Sequence, residues 1–76
     1  MNERIFLALG TNLGERQANL RLAKDSLWPK VIIERESSIY VTSPWGYKDQ
    51  PDSLNQVIEV KTQLAPTALL HFLKSI

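Results

Sequence analysis

The chain has 76 residues, a net charge of +1, 43% hydrophobic residues and no cysteine. That length limits it to one small domain that buries about 60% of its unfolded surface, and disulfides and thiolate metal sites are excluded. Acidic and basic residues are mixed, so there is no basic stripe for nucleic acid, and no apolar run approaches the roughly 20 residues that cross a bilayer.

Met1 to Arg4 has no long apolar stretch behind it, so no secretion signal is expected. With the lack of cysteine this fits a soluble cytoplasmic domain spanning residues 1–76. Ile5 to Leu9 is apolar on both faces and predicts a central strand, buried above and below and ending at Gly10. Asn12 followed by Glu15 has capping-box spacing and predicts a helix start there. Leu13, Leu20 and Leu27 fall a heptad apart, with Ala23 on their stripe, and Pro29 ends the helix near Leu27 or Trp28.

Val31 to Val41 is rich in β-branched and aromatic residues and predicts one long strand. Ile33, Ile39 and Val41 share a face with Arg35 and Ser37, and that polar middle predicts a bulge or a partly uncovered stretch. Leu54 to Leu64 alternates more cleanly: Leu54, Ile58, Val60 and Leu64 point one way, and Asn55, Glu59, Lys61 and Gln63 the other. The two strands predict an antiparallel hairpin. Pro66 suits a first helical position, and Leu69, Leu70, Leu73 and Ile76 follow at helical spacing.

The order β-α-β-β-α predicts an α+β fold, an incomplete ferredoxin-like sandwich whose final strand is missing. The apolar stripe still runs at Ile76, so the chain reads as truncated. In the complete sandwich the last strand pairs with the first. The expectation is therefore an open edge on Ile5 to Leu9 and a homo-oligomer formed through it.

Thr42 to Ser53 joins two strands by a connection long enough to suggest function. It carries Trp45 and Tyr47, stiffened by Pro44 and Pro51. Those rings either fold back onto the sheet or form a pocket for a flat ligand, and composition leaves both readings open. Asn55 follows at the start of a strand, where a carboxamide presents an acceptor beside two donors, or simply serves a turn. Gly10 to Gly14 joins a strand to a helix start but lacks the signatures of a P-loop or a dinucleotide fold. Asp49 and Asp52 flank Gln50-Pro51, where turn capping is the expectation over metal binding. His71 is expected to be a solvated helix residue.

These pieces together resemble a known family. Leu-Gly-Thr-Asn-Leu-Gly-Glu-Arg at positions 9 to 16, with Asn19-Leu20 after it, is similar to the "lGSNLGdr..Nl" opening of the hydroxymethyl-dihydropterin pyrophosphokinases of folate biosynthesis. Ser37 to Gly46 resembles their "sS.Y.T.P.G", Gln50 to Asn55 their "QPdfLN", and Leu64 to Leu70 their "l.P..LL". The resemblance covers nearly the whole chain and corresponds to the N-terminal half of such an enzyme.

It implies transfer of the β,γ-pyrophosphoryl unit of ATP to 6-hydroxymethyl-7,8-dihydropterin, with magnesium ions bridging the phosphates. The pterin-binding residues it implies are Thr42, Ser43, Trp45 and Asn55. Main-chain groups around Thr42 and Trp45 would bond the ring, and the Asn55 amide would read its edge. An aromatic residue usual before the Leu-Asn pair is here Ser53, so a stacking ring would have to come from Trp45 or Tyr47. The segment that binds metal and triphosphate in the family lies past residue 76. No catalytic residue and no metal ligand are therefore expected in this chain, which by itself is expected to be inactive. The alternative is a non-catalytic, self-associating protein that binds a pterin or another flat ligand.

Overall fold

The computed structural model describes residues 4–44 and 50–76 of the chain. Six elements follow one another: β1 (Ile5–Thr11), α1 (Arg16–Asp25), β2 (Val31–Glu36), β3 (Tyr40–Thr42), β4 (Ser53–Thr62) and α2 (Pro66–Lys74). The α+β class and the antiparallel pairing of the two expected strands hold. Among the described residues there is one four-stranded antiparallel sheet, ordered β1-β4-β2, with β3 also paired to β4.

β4 keeps the alternation read from its sequence. Leu54, Ile58 and Val60 are buried, and Gln56 is buried with them, while Asn55, Val57 and Glu59 face the other side. Both helices lie on the buried face. Leu27, Val31, Ile58, Val60 and Leu69 form the core, with Ile5, Leu7, Leu9, Ile33, Leu64, Phe72 and Leu73 packed around it. No described helix is long and apolar enough to cross a membrane.

β1 has the open edge expected of Ile5 to Leu9 but not the expected burial on both faces. It is the outermost strand, paired only with β4 among the described residues, and it alternates in exposure: Ile5, Leu7 and Leu9 are half-buried, whereas Phe6 is 58% exposed. The apolar run was two-sided, but the helices cover one side only. The strand also continues through Gly10 to Thr11 rather than ending at Gly10.

The single long strand is in fact two. Ile33 pairs with Val60 and Arg35 with Glu59, so Glu34 is an extra residue and the strand bulges there, as its polar middle suggested. The bulge changes the phase, placing Arg35 opposite Glu59 on the outer face while Ile33 keeps to the core. Pairing breaks after Glu36. Ser37 fills the gap: its N–H donates to Val57 O at 2.8 Å, and Val57 N–H donates to Ser37 Oγ at 2.9 Å. β3 then resumes along the same edge of β4.

On the helix side Lys24 Nζ lies 2.7 Å from Glu36 Oε1, and Gln56 Nε2 donates to that same oxygen at 3.1 Å and to Ser37 O at 2.8 Å. The Lys24 hydrogen bond holds the Glu36 carboxyl below its ordinary value, with partial burial opposing it.

Both helices differ from expectation at their ends. α1 begins at Arg16, without a side-chain cap, and Leu13 lies before it, 69% exposed. Asn12 makes no capping box because the helix starts later, with Glu15 at its N-cap. The helix ends at Asp25, and Leu27 reaches the core from the turn that follows. α2 starts at Pro66 as expected but ends at Lys74, with Ser75 Oγ donating to Phe72 O at 2.6 Å. Its buried face is Leu69, Phe72 and Leu73, whereas Leu70 and Ile76 are exposed. His71 is exposed, as expected.

Ile58 is the most enclosed side chain, at 0% exposure. Ile58→Ala should therefore cost about 2–5 kcal/mol, a large share of the stability of so small a domain. Urea denaturation should show this as a lowered midpoint, while Ile32→Ala on the exposed side leaves the unfolding free energy within about 0.5 kcal/mol of the parent.

Candidate functional site

The uncovered face of the sheet carries two of the sequence-derived candidates, Thr42 and Asn55, at one end. Thr42 pairs with Ser53, and Tyr40 pairs with Asn55, so all four side chains share that face. On the opposite edge of β4, Asn55 pairs with Gly10. Asn55 is thus flanked on both sides by backbone, in the centre of the sheet, and its side chain is half-buried.

Its carboxamide orientation is determined by its neighbours. Asn55 Nδ2 donates to Thr42 Oγ1 at 2.8 Å and to Ser53 O at 3.3 Å. A carbonyl can only accept, so the nitrogen must face Ser53 and the oxygen must face away. That oxygen lies over Gly10: a Cβ built at Gly10 would stand 2.9 Å from Asn55 Oδ1. A larger residue at position 10 would have to displace the Asn55 carboxamide, the movable end of its side chain.

The consequence is a defined hydrogen-bonding edge. Both hydrogens of the Asn55 amide are committed, and among the described residues Oδ1 accepts no bond. The Thr42 hydroxyl accepts from Asn55 and retains its own hydrogen for donation. Thr42 and Asn55 together therefore offer one donor and one acceptor on the open sheet face, the donor on the β3 side and the acceptor toward β1. Such a pair matches the edge of a heteroaromatic ring that carries its own donor and acceptor.

Of the four expected site residues, the structure brings Thr42 and Asn55 into contact. Ser43 is exposed and directly follows Thr42. Trp45 lies outside the described residues, as do Tyr47 and Asp49. Asp52 is exposed, and its main-chain carbonyl accepts a hydrogen bond from Arg16 Nη1. Gln50 Oε1 accepts one from Asn12 Nδ2 at 3.3 Å.

The sequence names the β1–α1 turn, but not the contact of Gly10 with Asn55 or the partners of the turn's polar side chains. Gly10 looked like the end of a strand, and its role depends on the strand register, which the local pattern does not specify. Asn12, Arg16 and Asn19 looked like cap and surface residues. The usable signal was their position in the motif at 9 to 20, where they recur as polar residues around a glycine turn. Gly14 supplies that turn at φ +66°, a conformation that favours glycine.

A groove of about 690 Å³ lies elsewhere, between α2 and the far end of the sheet, with Ile5, Val60, Leu64, Leu69 and Leu73 in its walls. Arg4, Glu34, Glu59 and Lys61 also line it, and neither Thr42 nor Asn55 does.

The sequence profile of the family described as 7,8-dihydro-6-hydroxymethylpterin-pyrophosphokinase matches residues 6–76. The chain belongs to that family. It is 42% identical to the 2-amino-4-hydroxy-6-hydroxymethyldihydropteridine pyrophosphokinase of Bacillus subtilis, an alignment that covers 100% of this chain and 47% of that protein. The enzyme of the same name from Aquifex aeolicus is 35% identical, over 95% of this chain and 45% of its own length. That from Pseudomonas aeruginosa is 36% identical, over 100% of this chain and 48% of its own. The chain therefore spans about half the length of the curated relatives it matches.

Gly10→Ala should push the Asn55 carboxamide off Thr42 because the added carbon and Oδ1 cannot share the space. In ¹⁵N-labelled protein the Asn55 side-chain amide resonances should shift while those of the distant Gln63 amide stay in place. An unmoved Asn55 pair would mean that the backbone yields instead.

Proposed function

We propose that this chain supplies the pterin-holding part of a cytoplasmic enzyme that transfers pyrophosphate from ATP to 6-hydroxymethyl-7,8-dihydropterin. The observation that carries the reading is the Thr42–Asn55 pair beside Gly10, in a chain that belongs to the pyrophosphokinase family. Thr42 donates and Asn55 Oδ1 accepts at the pterin edge. Ser43 continues the same rim, and Trp45 provides the ring that stacks on the ligand. These roles follow the family resemblance. The fold is then read as a ferredoxin-like frame whose further strand would lie along β1.

The chain's part in the reaction is binding and orientation. Held flat on the open sheet face, the pterin directs its hydroxymethyl group to where ATP must approach, which lowers the entropy cost of the transfer. Magnesium, which the resemblance implies, finds no fitting ligand set here. Among the described residues no three His, Asp or Glu side chains converge. The Glu36 carboxylate is engaged by Lys24, and Glu59 lies between Arg4 and Arg35 at 3.8 Å from each. No step of the proposed chemistry is routed through the ion.

Calorimetric titration with 6-hydroxymethylpterin tests this reading. Saturable binding is expected, and Asn55→Ala should weaken it about tenfold or more, the loss expected for an unpaired buried polar contact. Absence of saturable binding would remove the pocket, and equal affinity in the Asn55 variant would place the ligand elsewhere.

A second reading, a non-catalytic self-associating binder, is favoured by one feature. β1 is the outermost described strand, and its second edge has no partner among the described residues. Joining two copies there would extend the sheet. Sedimentation velocity should then show a dimer at tens of micromolar, and a monomer at that concentration would dismiss the reading.

A further inference from the structure

The polar side chains of the β1–α1 turn are used on the loop that leads into β4. Asn12 Nδ2 donates to Gln50 Oε1 at 3.3 Å. Arg16, the first residue of α1, extends its guanidinium to the main-chain carbonyl of Asp52. The turn that carries them is itself held, since Asn19 Nδ2 donates to Leu13 O at 2.8 Å and to Thr11 Oγ1 at 3.3 Å. Asp52 immediately precedes Ser53, whose carbonyl accepts from Asn55. A path of hydrogen bonds and adjacent residues thus runs from the first turn of α1 to the Asn55 carboxamide.

We infer that Arg16, assisted by Asn12, is a positioning residue for ligand binding at Asn55. The inference rests on the reading that a pterin binds there. Residues 16 and 52 are far apart in sequence, so the bond between them joins two separate segments rather than closing a local turn. A charged donor on a carbonyl makes a stronger bond than a neutral one. It fixes where the chain approaches β4, and with it the plane of the Ser53 carbonyl that orients Asn55. Ordering backbone costs conformational entropy, and a loop already pinned in the free protein does not incur that cost when ligand binds.

Arg16 makes this contact outside the core, which is formed by Leu27, Val31, Ile58, Val60 and Leu69. Its removal should therefore alter the site far more than the stability. That separates a positioning role from a structural one.

The test has two independent readouts. In ligand-free, ¹⁵N-labelled chain, Arg16→Ala should shift or broaden the Asn55 side-chain amide pair while the melting temperature stays close to the parent's. In calorimetry with 6-hydroxymethylpterin, Arg16→Ala should weaken binding about tenfold, and Asn55→Ala combined with Arg16→Ala should lose no more than Asn55→Ala alone, since the two act through one group. An Asn55 amide pair unmoved by Arg16→Ala overturns the inference whether or not the pterin binds. Additive losses in the double variant overturn it as well. If the parent chain binds no pterin, the proposed function falls, and the amide pair alone decides the role of Arg16.

Discussion

β4 is hydrogen-bonded along both edges. β1 takes one edge from Leu54 to Val60, and the other is shared between β3, at Ser53 to Asn55, and β2, from Ile58 to Thr62. A strand so placed cannot slip by one residue without turning its whole core set to solvent. Its alternation therefore decides what every other element does. Leu54, Ile58 and Val60 create the surface that the helices cover. Ser53, Asn55 and Val57 are left on the open face. The candidate site is a by-product of that division: it sits where the outward-facing residues of β4 meet the loop that precedes the strand.

The legible parts of this fold were those whose pattern is local. The alternation of β4, the proline at the start of α2 and the disturbance in the middle of the strand beginning at Val31 could all be read directly. The readings failed where a neighbour decides. Ile5 to Leu9 carries apolar side chains on both faces, and only the placement of the helices shows that Phe6 is uncovered. The extra residue at Glu34 inverts the facing of Arg35, so a strict alternation assigned it to the wrong side. Asn12 has the spacing of a helix cap, but the helix starts after Glu15, and the Asn12 amide nitrogen donates instead to Gln50 far along the chain.

The candidate site shows the same divide. Asn55 and Thr42 could be named from the residues and the family they resemble, and they do meet. What holds them could not be named, because Gly10, Arg16 and Asn19 act through contacts across the turn and the strand register. A chain half as long as its relatives can still carry such a constellation. Its members come from β1, the β1–α1 turn, β3 and β4, which lie side by side within these residues.

The close approach of Asn55 Oδ1 to Gly10 has a consequence for how this protein can change over time. A larger residue at position 10 must displace whatever side chain position 55 carries over it. The two positions therefore form a single unit of inheritance: a bulkier residue on β1 becomes admissible once the β4 side chain shrinks, and loss of the carboxamide frees a site far away in the chain.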